Sequence, residues 1–237
     1  MTTLYQYICL STHIYVNLHL IIYLCVMNID QIDSLREKLQ QSLDLLVSNI
    51  GPIQIGSKKQ FPYGWRKAAK GRTVWRIVEE VITQNLEKCH SDFKIDEVKP
   101  SEGEVTIFDM ECRFGADPSI YINIKSAVCG GRKNKDDISK AEGLLQFYDE
   151  DSERNFFIAT FFIKFNDDMS IEIERVVVFP IAWIKDIYVN PSNNGNLQSA
   201  YYKDISDAIK RTNEEFLPLF REAVEIARGK RTKKIRG

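Results

Sequence analysis

Residues 105–126 gather, in a short span, the side-chain types that hydrolysis of a charged ester requires. The stretch reads Val105-Thr-Ile-Phe-Asp109-Met-Glu111-Cys-Arg113, a short turn, then Ile120-Tyr121-Ile-Asn123-Ile-Lys125-Ser126. Side chains alternate faces along a strand. Tyr121, Asn123 and Lys125 therefore share one face, and Ile120, Ile122 and Ile124 the other. Asp109, Glu111 and Arg113 likewise fall on one side. If the segments pair as a hairpin, facing residues lie on the same side, so Asp109 opposes Asn123 or Lys125, and the second choice sets Glu111 against Asn123. Alone, Asp109 reads as a turn acid and Lys125 as a snorkelling surface residue. Together they bring a carboxylate able to hold a divalent cation beside an ammonium able to orient or activate water, the minimum for cutting a phosphodiester. A metal-dependent nuclease is the leading expectation.

The elements around this unit must position it. At 237 residues the chain is long enough for one α/β domain with a real core, and 44% hydrophobic with 27% charged residues excludes a disordered chain. Apolar residues at Ile32, Leu35, Leu39, Leu43, Leu46 and Val47 predict an amphipathic helix over 30–49, stopped by Gly51-Pro52. Thr73 reads as the N-cap of a second helix, 74–88, with Glu79 nearer its apolar stripe than Glu80. A Gly- and Lys-rich loop, 130–135, precedes a helix expected over 137–148. Residues 156–165 are almost continuously apolar, as in a central strand, and 170–181 form another. Residues 190–198 are dense in turn formers. Thr212 and Glu215 have capping-box spacing for a last helix ending at Gly229, with Pro218 placed awkwardly inside it.

The net charge of −1 hides an uneven distribution. From Gly51 to Val78 the chain carries Lys58, Lys59, Arg66, Lys67, Lys70, Arg72 and Arg76 with no acid, and Lys230–Arg236 is a second basic cluster. The first stretch suits a polyanion; the second reads as a loose tail. The cysteines have no Cys-x-x-Cys spacing, so no zinc constellation is visible, and free thiols in a reducing cytoplasm are expected. Residues 1–26 contain no Lys, Arg, Asp or Glu and end in an apolar run, Leu20–Val26. Gln6, His13, Asn17 and His19 interrupt any span, and the basic start of a signal peptide is missing. A translation start assigned too far upstream of Met27 is the preferred reading over an anchor, leaving 27–237 as a single nuclease domain, with no membrane partner expected unless the extension is real.

The helix, strand, strand, helix, strand order around the polar hairpin resembles the core of the PD-(D/E)xK nucleases, the fold of most type II restriction endonucleases. Residues 61–76 and 190–198 look most like the small ScaI-type members. The resemblance, over about residues 74–165, implies a restriction-endonuclease-like α/β core, a mixed central β-sheet flanked by α-helices. It also implies a Mg²⁺ site on Asp109, the Ile124 carbonyl and a helix acid (Glu79, with Glu80 second), Lys125 as the catalytic lysine, and 5′-phosphate products. Asn123 stands where the family has Asp or Glu. An amide oxygen ligates Mg²⁺ without adding charge, and Glu111 could restore the missing carboxylate.

Double-stranded DNA is the expected partner. Arg66, Lys67, Lys70 and Arg72 before the second helix, and Arg132, Lys133, Asn134 and Lys135 after the catalytic strand, are candidate contacts. Lys133 and Lys135 suit phosphates. Asn193, Asn194, Asn196 and Gln198 have the side chains that read adenine edges, although Asn-Gly is also ordinary turn chemistry. A palindromic site requires two copies about a two-fold axis, so a homodimer acting in host restriction is expected. The competing readings are a repair or recombination nuclease of the same fold and a catalytically inactive DNA-binding module.

Overall fold

The computed structural model of the chain describes residues 27–66, 70–101, 103, 106–131, 133–192 and 195–236; the apolar extension 1–26 lies outside them. Among the described residues no helix is long and apolar enough to cross a membrane. Asn28 opens the first helix: its side chain accepts from the Gln31 N–H, and the Gln31 side chain accepts from the Asn28 N–H, both at 2.9 Å. This capping box satisfies donors that the first turn would leave orphaned. Helix α1 (Ile29–Ile50) buries Ile32, Leu35, Leu39, Leu43 and Leu46, the stripe read from the sequence. Each such side chain contributes about 1.5–3 kcal/mol on full burial. Gly51, at φ 65°, ends the helix in a conformation that glycine adopts without a Cβ clash.

The central sheet has six strands, in the order β1 (Ile53–Gln54), β7 (Ser170–Pro180), β6 (Asn155–Phe165), β4 (Ile120–Val128), β3 (Met110–Arg113) and β2 (Glu97–Pro100). β6 is buried from Asn155 through Ile163, as its apolar run requires. β4 and β6 run parallel, and every other neighbouring pair is antiparallel. A parallel pair needs a long crossover, supplied here by β5 (Asp136–Lys140) and α3 (Ala141–Glu150). α1 rests on β7, and α2 (Lys70–Cys89) on β4 and β2. The architecture is a mixed α/β sheet flanked by helices, as expected.

Several boundaries differ from the sequence reading. The first strand of the hairpin begins at Met110 rather than 105, so Asp109 lies just before it. α2 starts at Lys70, which puts Thr73 inside the helix instead of at its cap. Residues 136–140 form a strand, not the first turn of a helix, because they pair with β9 (Asn196–Ser199) in a small sheet completed by β8 (Tyr188–Val189). Asn196 and Gln198 are therefore strand residues, not loop residues. Helix α4 (Asn213–Arg236) has the Thr212–Glu215 capping box but continues through Gly229, with Pro218 inside it. A helical glycine costs only about 1 kcal/mol against alanine, and the basic residues expected as a tail suit a helix C-terminus.

One side chain finishes the sheet edge. β1 covers only Ser170 and Ile171 of β7. Farther along, Gln40 of α1 donates to the Val176 carbonyl at 3.0 Å and accepts from the Val178 N–H at 2.8 Å. Replacing Gln40 with Leu leaves both main-chain groups without that partner, which should cost about 1–3 kcal/mol. A shift of that size in the urea midpoint is expected; an unchanged midpoint contradicts this role.

Candidate active site

Asp109 is held at the end of the β3–β4 ladder. Its N–H donates to the Ile122 carbonyl at 2.8 Å, and its carbonyl accepts from the Ser101 N–H at 3.0 Å. The carboxylate turns toward β4, where Oδ2 accepts the Ile124 N–H at 2.6 Å. The N–H and C=O of one strand residue point to the same strand edge, so the Ile124 carbonyl also faces this side.

Asp109 lines a cavity of about 400 Å³ together with Glu79 and Trp75 of α2, Asn123, Ile124 and Lys125 of β4, and Ile138–Lys140 of β5. Asp109, Glu79 and Lys125, separate in sequence, thus open onto one space. A larger cavity of about 560 Å³ lies by Tyr121, near the start of β4. Charged groups there are already engaged, Lys38 with Asp117 and Glu153 with the Met27 N–H, so size does not mark the chemistry.

The electrostatics of the smaller cavity are strained in a consistent way. Burial raises the Asp109 carboxyl above its ordinary value, opposed by the Ile124 N–H and the charges of Lys125 and Arg76. Burial raises Glu79 as well, and the nearby Asp109 adds to the rise, while Arg76 and Lys125 oppose it. Lys125 is pushed down by burial and pulled back by Asp109, Glu79, Asp137 and Asp136. Carboxylates that disfavour their own charge favour an added cation. Among the described residues no three His, Cys, Asp or Glu side chains converge on one point. The donors are two carboxylates and a main-chain carbonyl, all hard oxygens. That set fits Mg²⁺, which takes one or two protein carboxylates and keeps several waters.

Asn123 is 6% exposed. Its Nδ2 donates to the Ile107 carbonyl at 3.0 Å and the Ile138 carbonyl at 3.2 Å. Two acceptors at one end of the amide fix which end is nitrogen. Glu111 is not brought to Asp109. It pairs in register with Tyr121 and lines no part of the cavity. Asp109 precedes the ladder while Glu111 lies within it, so the alternation that put them on one face does not extend across that junction. Glu80 is exposed and accepts from Gln84 at 2.7 Å. Arg76 went unsingled in the sequence, although it stands three residues before Glu79 on the same helix; its guanidinium lies 4.1 Å from the Trp75 ring centroid.

The expected DNA contacts are dispersed. Lys67, Arg132, Asn193 and Asn194 lie outside the described residues, and Lys70 and Arg72 belong to the first turn of α2. Arg66 sits over the Tyr63 ring. Lys133 pairs with Asp207 at 2.6 Å, Lys135 lies over Tyr188, and Asn134 is exposed. Gln198 donates to Asp137 at 2.6 Å and accepts from Asn190 at 3.3 Å, so its amide is occupied within the small sheet. Asn196 pairs with Lys140 in the same sheet.

No protein-family model matches the sequence, and no curated protein matches it. Among solved structures the chain is similar to the NlaIV restriction endonuclease at 11% identity and a TM-score of 0.39, covering 68% of this chain and 75% of that one. The chemistry of the cleft rests on its own residues.

A folded-state value above the ordinary one makes the ionised Asp109 a destabilising presence at neutral pH, relieved as pH falls through that value toward the unfolded 3.8. Asp109→Asn keeps an oxygen for the Ile124 N–H and removes the charge. It should raise the melting temperature by a few degrees at pH 7, with the advantage shrinking on acidification. Mg²⁺ should stabilise the unsubstituted protein and not the variant. Thermal scans at several pH values, with and without Mg²⁺, check both statements.

Proposed function

We propose that the chain is a Mg²⁺-dependent deoxyribonuclease of the PD-(D/E)xK kind, cutting duplex DNA at a short site as type II restriction endonucleases do. The observation that carries this reading is the convergence of Asp109, Glu79 and Lys125 on one cavity. Asp109 and Glu79, with the Ile124 carbonyl, would hold the ion. When bound, Mg²⁺ supplies Lewis-acid polarisation of the scissile phosphate and lowers the pKa of a water. Asp109 is pre-aimed by the Ile124 N–H, so it need not reorganise to serve as an acceptor. Lys125, half-buried on the same cavity as Asp109 and Glu79, orients the attacking water by hydrogen bonding and places positive charge where the phosphorane gathers negative charge. The products carry 5′-phosphates, and two copies of the chain act on a palindromic site as a homodimer in host restriction.

One observation favours a second reading. Asn123 supplies no charge, and its amide nitrogen is committed to two carbonyls, which suits a DNA-binding module without activity. A repair or recombination nuclease with the same cleft would be guided by DNA ends, junctions or mismatches instead of sequence.

Incubating the purified chain with plasmid and phage DNA, in Mg²⁺ and in EDTA, separates these readings. Discrete fragments in Mg²⁺ alone support the restriction enzyme. Smears or structure-dependent nicks support the repair nuclease, and retarded but intact DNA the inactive binder. Asp109→Ala and Lys125→Ala should each lower cleavage by at least about a hundredfold while gel retardation persists. Cleavage at the unsubstituted rate by either variant refutes the assignment. Glu79→Gln should raise the Mg²⁺ concentration needed for half-maximal rate, checked by metal titration.

A further inference from the structure

Asn123 occupies the position at which the sequence resemblance calls for an acid, yet its surroundings ask for a donor. Two main-chain carbonyls approach the same amide nitrogen. One belongs to Ile107, in the irregular segment that delivers Asp109 to the cleft and outside every ladder. The other belongs to Ile138, which the small sheet skips: its register passes from Asp137↔Gln198 to Ser139↔Leu197. Such a bulge leaves one residue of the strand unpaired and bends the strand locally. Ile138 is nevertheless 1% exposed, so its carbonyl depends on a side-chain donor in place of water.

A carboxylate at 123 would turn two hydrogen bonds into two contacts between oxygens. It would also add a third negative charge beside half-buried Asp109 and Glu79. Only a neutral side chain with two N–H donors on one atom answers both carbonyls, and asparagine has the reach of the acid it replaces.

We infer that Asn123 is a positioning residue that acts through its amide nitrogen: it ties the segment carrying Asp109, and the bulge of β5, to the strand that carries Lys125. This rests on the nuclease reading of the cleft and deepens it, leaving Asp109 and Glu79 as the carboxylates of the ion site. The small sheet is thereby coupled to the catalytic geometry through its Ile138 bulge. A displacement of about 1 Å at a reacting group is enough to lower a rate about a hundredfold.

The test compares the full chain with Asn123→Asp and Asn123→Ser. Cleavage is followed over a Mg²⁺ titration, DNA retention is measured in EDTA, and amide hydrogen exchange is mapped. Asn123→Asp should cut about a hundredfold more slowly at saturating Mg²⁺. Its half-saturating Mg²⁺ concentration should be no lower than that of the unsubstituted chain, and DNA retention should be unchanged. Exchange should quicken at 107–109 and 138–140 ahead of the rest of the sheet. Asn123→Ser, which keeps one hydroxyl donor with less reach, should show the same exchange pattern and serves alone if Asn123→Asp does not fold. A faster or equally fast Asn123→Asp enzyme with a lower Mg²⁺ requirement overturns the inference and makes residue 123 a ligand. If the unsubstituted chain cuts no DNA, the nuclease reading fails while the tie is still decided by exchange. Unchanged exchange at both segments in a folded variant refutes it.

Discussion

The N–H of Ile124 decides where the acid of this cleft sits. β4 extends beyond the point at which β3 stops pairing with it, since the paired residues of β4 on that side are Ile120, Tyr121 and Ile122. The next N–H directed to that edge, at Ile124, has no main-chain acceptor from β3. A buried donor without a partner is costly, and the Asp109 carboxylate supplies the acceptor at 2.6 Å. The same bond completes the sheet and aims a carboxylate into the cavity. The acid is therefore fixed by the length mismatch of two strands, and its orientation is part of the fold.

The remaining groups follow from that placement. α2 buries Val74, Val78, Ile82 and Leu86 and packs on β4, with Trp75 and Glu79 at the cavity wall. Lys125 comes from the next turn of alternation on β4. The charges so gathered do not stabilise one another fully, because burial works against Asp109, Glu79 and Lys125 alike. A fold selected for stability alone would not keep them. Tyr148, Phe156, Phe216 and Phe220, buried and packed through ring contacts around α3 and α4, provide the apolar burial against which that cost is set.

What was legible in the sequence was whatever periodicity alone determines. The leucine stripe of α1, the continuous apolar run of β6 and the alternation at 120–125 each depend on local repeat, and each lies where it was expected. Lys125 could be placed beside Asn123 because alternation puts a strand residue on a face without knowledge of its partner. Strands whose pairing is set at a distance were not legible. Residues 136–140 carry two acids, a serine and a lysine around Ile138, and nothing local says that Asn196–Ser199 will lie beside them. Glu111 lies away from the cavity lining for a related reason. Alternation was carried through the junction at Asp109, where the ladder begins and the regular pleat with it. Arg76 was lost inside a run of basic residues, although helical spacing alone sets it beside Glu79.

The distribution of cations bears on how such a cleft would meet DNA. Lys133 and Lys135 each have an acid nearby, Asp207 at 2.6 Å and Asp186 at 3.7 Å. Exposed pairs of this kind contribute little, so a surface carboxylate is readily exchanged for another anion, and the pairs keep the surface from repelling itself. Arg76 differs. Among the described residues it forms no ion pair, and it lies close enough to Asp109 and Glu79 to lower both. Its charge therefore opposes, without an ion pair, the effect of burial on both carboxylates. On the proposed function, a cation that neutralised those carboxylates would leave the guanidinium, stacked near the Trp75 ring, available to a phosphate.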